Sequence, residues 1–465
     1  MTKTILINKA NRIKDSYYKK TNFISTKDIL NDEVLVEEET YKAYLELEKF
    51  LQSKNIIIGI NSAYRSEEYQ QQIYEDFCIK YGKEYADKIV APVGTSEHHT
   101  GLAIDLALKI NNEFIEDTQE LEKCNHIFEE IHKYLEDFGF ILRYPKDKEN
   151  ITGYPYEPWH IRYVGKFVAK IIAEKKYTLE EYLKEYSGII LVNKEKGMTS
   201  FDVVNEISHL FGIKRVGHTG TLDPLAEGVL LVAIGKATKV VELLTATYKE
   251  YIATVKLGIK TDTLDITGKV IATKEIPFLD SLEEVLSSFK KTYMQEVPIY
   301  SAVKVNGKKL YEYARNNEIV ELPKKEVTIK NIELLDKTLD SFRFKALVSK
   351  GCYIRSLIND IGQCLNTYAT MTSLTRTKQG SISIDKTNKL KEIKEGIYKI
   401  YEIDETLDIK TIVVTDEQCK KIYSGQKLPN IWNIDDKVIF KSKDNRLLGI
   451  YEQVDNELKV WKNFV

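Results

Sequence analysis

Two separate sets of chemistry-bearing residues, one on each side of residues 187–188, constrain the fold of this chain more than any other feature. Residues 96–105 read SEHHTGLAID and are followed by EPWH at 157–160, whereas residues 217–224 read GHTGTLDP and are followed by KGCYIR at 350–355. The chain has 465 residues, and one hydrophobic core rarely serves more than ~300 residues. The sequence therefore predicts several domains and two distinct sites.

Charge is distributed unevenly along a chain whose composition is that of a globular protein, with 43% hydrophobic and 30% charged residues. Residues 1–187 contain 26 Lys and Arg against 33 Asp and Glu, whereas the remainder contains 42 against 37. Because phosphate binding depends on Lys and Arg, this asymmetry favours an RNA partner for the second part.

The five cysteines form an odd set without CxxC spacing, which argues against a disulfide framework and against a thiolate zinc site. No signal-peptide core is present near the first residue, and no stretch approaches the ~20 apolar residues of a membrane-spanning helix. We therefore expect a reduced, cytoplasmic and monomeric protein without a membrane segment.

Local patterns predict an α+β multidomain protein. Helical spacing predicts helices over 34–53, 119–138 and 177–186, the last with Thr178 as its N-cap, and the β-branched run 56–60 predicts a buried strand. Residues 405–465 show short strands separated by polar turns. We place a boundary after Ser187, which gives domains at 1–187, 188–404 and 405–465.

The first motif pair has the residue types of a zinc hydrolase, which needs three protein ligands and a base for the attacking water. His98, Asp105 and His160 supply candidate ligands, and Glu157 supplies a candidate general base or acid. Pro158 disfavours a helix between Glu157 and His160. Spacing alone leaves other readings open: the neighbouring His99 could replace His98, Asp105 could be a surface or capping residue, and His160 could simply be packed.

These segments resemble the zinc D-alanyl-D-alanine carboxypeptidases of the VanY and VanX kind over about residues 1–185. The matching positions are Ser62, Tyr64, Arg65, Ser66, Ser96, His98, Gly101, Ala103, Asp105, Glu157, Trp159 and His160. The resemblance implies Zn²⁺ on His98, Asp105 and His160, water activation by Glu157, an oxyanion- or substrate-binding role for Arg65, and substrate positioning by Ser96. Ala63 stands where that family often has Gly.

Family resemblance leaves the substrate of this part open. An enzyme of this kind in the cytoplasm would meet the free D-Ala-D-Ala dipeptide or a soluble, nucleotide-linked peptidoglycan precursor. An L-alanyl-D-glutamate endopeptidase and a metal-free peptidoglycan-binding module are the alternatives.

The second motif pair centres on Asp223, whose carboxylate could act as a nucleophile, although Asp-Pro is also a common turn starter. The segments 188–205, 217–230, 249–268, 297–315 and 350–362 occur in an order that resembles the TruB family of tRNA pseudouridine synthases over about 188–400. Residues 405–465 are similar, more weakly, to the PUA-like RNA-binding domain of that family.

The resemblance implies that Asp223 is the nucleophile, that Arg355 keeps it ionised, and that Tyr251 stacks on the flipped base. It also implies that His218 fills the space left by the nucleotide and that Asp265 contacts the base edge. The implied substrate is the T-loop uridine at position 55 of tRNA, and no cofactor is expected.

Two departures from that family do not remove a reactive group: Glu195 and Ile299 each stand where it has proline. A tRNA-folding chaperone without isomerisation is the alternative function for the second part. The sequence as a whole thus predicts a bifunctional fusion.

Overall fold

The computed structural model describes residues 3–464, so residues 1–2 and 465, at the ends of the first and last predicted domains, lie outside it. The chain divides into two compact units. The first unit comprises residues 3–186 with Ile207–Lys214, and the second comprises residues 187–206 and 215–464. The predicted division into three domains remains a prediction, since residues 405–464 fall within the second unit.

The first unit packs helices against a five-stranded sheet of order β3-β4-β7-β6, with β5 on β4. Its strands are β1 (Phe23–Lys27), β2 (Glu33–Glu37), β3 (Ile58–Ser62), β4 (Ala103–Ile110), β5 (Glu113–Ile115), β6 (Phe140–Leu142) and β7 (His160–Tyr163). Its helices are α1 (Asp15–Tyr18), α2 (Glu38–Ser53), α3 (Glu67–Tyr81), α4 (Lys83–Ile89), α5 (Thr118–Lys123), α6 (Asn125–His132), α7 (Glu149–Thr152), α8 (Lys166–Lys175) and α9 (Leu179–Glu185).

The first predicted helix begins later than its apolar spacing suggests. Residues 34–37 belong to β2, which pairs with β1, and α2 starts only at Glu38. The carboxylate of Glu37 accepts a hydrogen bond from the backbone N–H of Thr40 and so caps the helix. Strand pairing and this cap together override the helical spacing of the preceding residues.

The other local predictions hold in part. The predicted strand at 56–60 is observed as β3 at Ile58–Ser62. The helix predicted over 119–138 is split at Cys124 into α5 and α6, and α6 ends at His132, before a short 3₁₀ helix at Leu135–Phe138. The prediction for the last helix is confirmed, since Thr178 and Glu181 form a reciprocal capping box at the start of α9.

The second unit contains a ten-stranded sheet of order β14-β17-β18-β11-β19-β10-β8-β21, with β20 on β19 and β9 on β10. The strands of the unit are β8 (Gly188–Lys194), β9 (Val216–His218), β10 (Glu227–Ile234), β11 (Lys249–Leu257), β12 (Ile259–Thr261), β13 (Val270–Thr273), β14 (Thr292–Glu296), β15 (Lys304–Val305), β16 (Lys308–Lys309), β17 (Lys324–Lys337), β18 (Ser341–Val348), β19 (Ala369–Gln379), β20 (Ile382–Ser383), β21 (Ile400–Tyr401), β22 (Lys410–Val413), β23 (Leu428–Pro429), β24 (Lys437–Lys441), β25 (Leu447–Val454) and β26 (Glu457–Asn463).

Helix α10 (Ser200–Phe211) begins in this unit, and its residues from Ile207 onward belong to the first unit. The other helices of the second unit are α11 (Val241–Ala246), α12 (Leu282–Ser288), α13 (Leu310–Arg315), α14 (Ile354–Cys364), α15 (Leu390–Lys394), α16 (Ile403–Thr406) and α17 (Asp416–Tyr423). The main core lies between α12, α14 and the central strands, where residues such as Val255, Phe344 and Leu357 are buried.

The end of the chain forms a five-stranded sheet of order β22-β24-β25-β26-β23 with α17 packed on it. This agrees with the β-rich segment expected from the sequence. Its likeness to a PUA domain remains a prediction. Within residues 3–464, no helix is both long enough and apolar enough to cross a membrane.

Helix α14 carries a carboxyl group whose titration we expect to affect stability. Burial raises the pKa of Asp360 from 3.8 to about 6, even though the hydroxyl of Tyr293 donates to it at 3.1 Å. A carboxyl with a raised pKa favours the folded state most while it is protonated, and that contribution is lost as the pH rises from about 4 through 6.

We therefore predict that Asp360→Asn, whose neutral amide does not titrate, becomes more stable than the wild type by roughly 1 kcal/mol above pH 7, after allowance for partial solvent exposure. The two proteins should be alike near pH 4. Chemical unfolding followed across this pH range checks the prediction, with the exposed Asp444→Asn as the control. A pH-independent difference would show that burial of this carboxyl is not its cause.

Candidate functional sites

Strand register brings the predicted ligands of the first unit together. Asp105 on β4 lies opposite His160 on β7, and His98 lies on the short 3₁₀ helix Glu97–Thr100 just before β4. The Nε2 atom of His98 is 3.1 Å from Oδ2 of Asp105, and the Nδ1 atom of His160 is 3.1 Å from Oδ1 of Asp105. All three side chains are buried, and one ligand atom from each lies within 4.8 Å of the others. We call these residues the three-ligand cluster.

The hydrogen bonds of His98 leave one ring nitrogen available to a metal. Its Nδ1 is 2.5 Å from the carbonyl oxygen of Ala63, which can only accept, so Nδ1 carries the proton. Burial lowers the pKa of His98 to about 4, which keeps the ring neutral. Its Nε2 lone pair therefore faces Asp105. Because Ala63 contributes a backbone atom, its departure from the family's Gly leaves this contact intact.

His99, the alternative ligand, lies outside the three-ligand cluster. Its Nδ1 donates to the carbonyl of Arg65 at 2.7 Å, and its Nε2 accepts the backbone N–H of Gly94 at 3.1 Å. Both ring nitrogens are therefore used in holding the loops around the site. This leaves His98 as the histidine placed to bind a metal.

The other predicted residues surround the cluster. The Oε2 atom of Glu157 is 3.4 Å from Nδ1 of His160, and Arg65 contacts Oδ2 of Asp105 at 2.6 Å. Burial alone would lower the pKa of His160, but hydrogen bonds to Asp105 and Glu157 and the negative charges of these two residues raise it to about 9. These residues and Ser96 line a cavity of about 220 Å³. As Pro158 predicts, residues 157–159 are not helical.

A buried charge network behind the cluster was missed by the sequence reasoning. Oε1 of Glu97 is 2.8 Å from Nε of Arg143 and 2.7 Å from Nη1 of Arg162, and the two arginines are completely buried. Burial opposes ionisation, but the two guanidinium charges hold the pKa of Glu97 at about 2. Arg143 also pairs with Glu180 on α9. The sequence contains one sign of this buried network, which is an arginine inside each of the two apolar runs ILRYP and HIRYV.

The three-ligand cluster fits a divalent transition metal. Two imidazoles and one carboxylate form the three-ligand set typical of catalytic zinc sites, which keep a further position open for water. The cavity borders all three ligands, so substrate and water can reach a metal held there.

In the second unit, the predicted nucleophile pairs with the predicted arginine. Asp223 lies in the loop between β9 and β10, and Arg355 is the second residue of α14. Oδ2 of Asp223 is 2.9 Å from Nε of Arg355, whose side chain is nearly buried, whereas Asp223 remains 35% exposed. The other guanidinium nitrogens donate to the carbonyls of Thr263 and Tyr300 at 3.0 Å. Arg355 is thus fixed by backbone atoms from two other segments.

Hydrogen bonds from distant segments hold the loop that carries Asp223. The hydroxyl oxygen of Ser200 accepts a hydrogen bond from the backbone N–H of Leu222 at 2.9 Å, and the side-chain amide of Gln379 donates to the carbonyl of Thr219 at 3.0 Å. Gly220 has φ +103°, a conformation that L side chains rarely adopt. The loop is therefore preorganised, with the carboxylate of Asp223 partly open to solvent.

Three buried basic side chains lie behind this loop and were not singled out from the sequence. Lys194 donates to the carbonyls of Glu195 and Met198, and Lys249 donates to two carbonyls at the end of α11 and just after it. Arg376 donates to the carbonyl of Gly220. Burial lowers the pKa of each lysine to about 8. The related family has proline at position 195, where this chain has Glu195. Lys194 contacts only the backbone carbonyl of this residue, so the contact does not depend on the side chain at position 195.

The remaining predicted residues lie around the same loop or in the neighbouring segments. Tyr251 is a mostly buried residue of β11 within the main core. Burial lowers the pKa of His218, on β9. Oδ1 of Asp265 accepts hydrogen bonds from Thr263 and Thr267 within its own loop. The expected contacts of Tyr251, His218 and Asp265 with RNA remain predictions.

Two family models match the chain. The model of the VanY family, described as D-alanyl-D-alanine carboxypeptidase, matches residues 33–166. The model of the N-terminal domain of the TruB family pseudouridylate synthases matches residues 208–354. These matches confirm the two resemblances inferred from the motifs.

Curated relatives cover the second unit. The tRNA pseudouridine synthase B of Oceanobacillus iheyensis is 45% identical over 280 residues, which cover 57% of this chain and 92% of the relative. The enzyme of the same name from Fusobacterium nucleatum is 50% identical over 199 residues, covering 43% and 69%. Among solved structures, VanYB in complex with D-Alanine-D-Alanine is 29% identical, with a TM-score of 0.34, covering 39% of this chain and 97% of that chain.

The geometry predicts that the three-ligand cluster binds about one Zn²⁺ per chain. His160→Ala should bring the zinc content of the purified protein close to zero, because two ligands alone hold the ion weakly. His99→Ala and the exposed His126→Ala should both retain the ion. Elemental analysis of the folded variants checks the prediction. Full zinc content in His160→Ala would contradict this ligand assignment, and loss of zinc from folded His99→Ala would favour the alternative ligand.

Proposed function

The second unit of this chain belongs to the tRNA pseudouridine synthase B family, and from that premise we propose that it converts the T-loop uridine of tRNA to pseudouridine. The observation that carries the proposal is the contact between Asp223 and Arg355 at 2.9 Å. It places an ionisable carboxylate, partly open to solvent, beside a cation that favours its charged form. The relatives from Oceanobacillus iheyensis and Fusobacterium nucleatum support tRNA as the substrate, since both are tRNA pseudouridine synthases by name.

The proposed reaction breaks the bond between N1 of uracil and C1′ of ribose and forms a bond from C5 of uracil to C1′. The C5 proton leaves and N1 gains a proton, so the reaction is an isomerisation that needs no external cofactor. The target nucleotide first leaves its stack, because the glycosidic bond is otherwise inaccessible. The carboxylate of Asp223 acts as the nucleophile, and Arg355 keeps it ionised and oriented.

The side chains around Asp223 have proposed roles in holding the flipped nucleotide. Tyr251 stacks on the base and assists proton transfer, His218 fills the space that the base vacates, and Asp265 contacts the base edge. Lysines and arginines of the second unit, including its C-terminal sheet, supply the phosphate contacts that dominate RNA affinity.

We predict that Asp223→Asn lowers pseudouridine formation at least ~10³-fold, because an amide cannot replace the carboxylate nucleophile. Binding of tRNA should change little, since affinity depends mainly on phosphate contacts. The exposed Asp408→Asn is the matched control. Direct assay of modified tRNA, together with a binding titration, checks both statements. Activity close to that of the wild type in Asp223→Asn would exclude this residue as the nucleophile.

For the first unit, we propose a zinc peptidase that cleaves D-Ala-D-Ala-type peptides. The supporting observations are the three-ligand cluster, the Glu157 carboxylate beside it, and the VanY family match over residues 33–166. His98, Asp105 and His160 would hold the Zn²⁺. When bound, that ion would supply Lewis-acid polarisation and a water of lowered pKa.

Glu157, Arg65 and Ser96 have the other proposed roles in this reaction. Glu157 accepts a proton from the attacking water and delivers it to the leaving amine. Arg65, which contacts Asp105 at 2.6 Å, stabilises the negative charge that develops on the substrate carbonyl in this proposal. Ser96 lines the cavity, and its side chain does not cap the adjacent 3₁₀ helix, which leaves the hydroxyl for the peptide.

We predict that the purified protein releases D-alanine from the D-Ala-D-Ala dipeptide or from a soluble precursor. Glu157→Gln should lower that rate about 10²–10⁴-fold, because it removes the proton acceptor. Zinc content should be unchanged, which separates this variant from a ligand substitution. Cleavage of an L-alanyl-D-glutamate bond with no D-alanine release would overturn the substrate class and favour the endopeptidase alternative.

A further inference from the structure

The buried carboxylate of Glu97 has one oxygen that the charge network does not use. Oε1 contacts both Arg143 and Arg162. Oε2 has no hydrogen-bond partner among residues 3–464, although it is completely buried. Burying a polar atom without a partner is unfavourable, so the position of Oε2 calls for a physical explanation.

The atom that faces this oxygen belongs to a member of the three-ligand cluster. Nε2 of His160 lies 3.9 Å from Oε2 of Glu97 and also lacks a hydrogen-bond partner in the described part of the chain. The other ring nitrogen, Nδ1, faces Asp105 and Glu157. One ring nitrogen of the imidazole is therefore directed toward the proposed metal position and the other toward Glu97.

We propose that Glu97 is a positioning residue for the metal site, accepting the Nε2 proton of His160 so that Nδ1 is the metal-binding atom. This inference rests on the proposed zinc site. A histidine that binds a metal through one ring nitrogen characteristically donates its other N–H to a carboxylate or carbonyl, which fixes the tautomer and strengthens the ligand. The 3.9 Å separation is about 1 Å longer than such a hydrogen bond, a gap that a small tilt of the imidazole closes.

The two arginines explain how a charged carboxylate is maintained at this position. A buried carboxylate needs compensation, and Arg143 and Arg162 supply it through Oε1 alone. Oε2 is thereby left free to accept from the ring. A role limited to neutralising the arginines would not require this second oxygen to face His160.

Glu180 offers a matched control within the same network. Its carboxylate accepts from Nη1 and Nη2 of Arg143 at 2.9 and 2.6 Å, so it compensates the same guanidinium as Glu97. No contact joins it to the three-ligand cluster in the described structure. Glu180→Gln therefore removes one negative charge from the network and leaves the surroundings of His160 unchanged.

The experiment compares zinc affinity, by chelator competition, in the full-length wild type, Glu97→Gln and Glu180→Gln. We expect the zinc dissociation constant to rise about 10- to 100-fold in Glu97→Gln and to stay within about threefold of wild type in Glu180→Gln. Thermal unfolding of the zinc-free proteins gives a second readout. Both variants should lose stability there, because each disturbs the buried charges.

Equal losses of zinc affinity in the two variants, or unchanged affinity in Glu97→Gln, would overturn the inference. If Glu97→Gln does not fold, Glu97→Asp keeps the negative charge but draws the carboxylate away from His160. It should still weaken zinc binding, and wild-type affinity in Glu97→Asp would overturn the inference too. Failure of the wild type to bind zinc would instead refute the proposed metal site, and this inference with it.

Discussion

Buried guanidinium groups hold both sites together. Arg355 fixes Asp223 while it binds two backbone carbonyls, and Arg143 links Glu97 to Glu180. Removing one partner of the fully buried pair of Arg143 and Glu97 leaves an uncompensated buried charge, at a cost of about 3–5 kcal/mol. The geometry of each site therefore depends on a cation whose partners come from segments far apart in the chain.

The candidate ligands of the first site could be brought together from the sequence because they lie in short, contiguous motifs. SEHHTGLAID contains two of the three proposed ligands, and EPWH contains the third together with Glu157. Their supporting partners could not be assigned in the same way. Arg162 lies in an apolar strand and Arg376 in a mixed one, and nothing in their local spacing shows which distant carboxylate or carbonyl each contacts. Such pairing follows from strand register, which the β4–β7 pairing illustrates.

Errors in the fold prediction also arise from contacts between segments that local spacing does not reveal. Residues 34–37 fit helical spacing but form β2, because pairing with β1 satisfies their backbone hydrogen bonds. The run 119–138 is amphipathic throughout, and only the observed break at Cys124 separates α5 from α6. The capping box at Thr178 was predictable because all its contacts lie within three residues along the chain. Features whose contacts lie within a few residues could thus be predicted from the sequence. Features that depend on pairing between distant segments could not.

The two sites draw on separate sets of residues. The contacts described for the first site involve residues between Ala63 and Glu180, and those of the second involve residues between Lys194 and Gln379. Their electrostatic requirements also differ. Imidazole ligands must be neutral to bind a metal, whereas Asp223 must be ionised beside a cation. The excess of acidic residues before residue 188 and of basic residues after it reinforces this separation, because a polyanionic RNA is attracted only by the basic part. Nothing in either proposed reaction therefore requires a residue of the other site, and a single chain can carry both chemistries without compromise in either one.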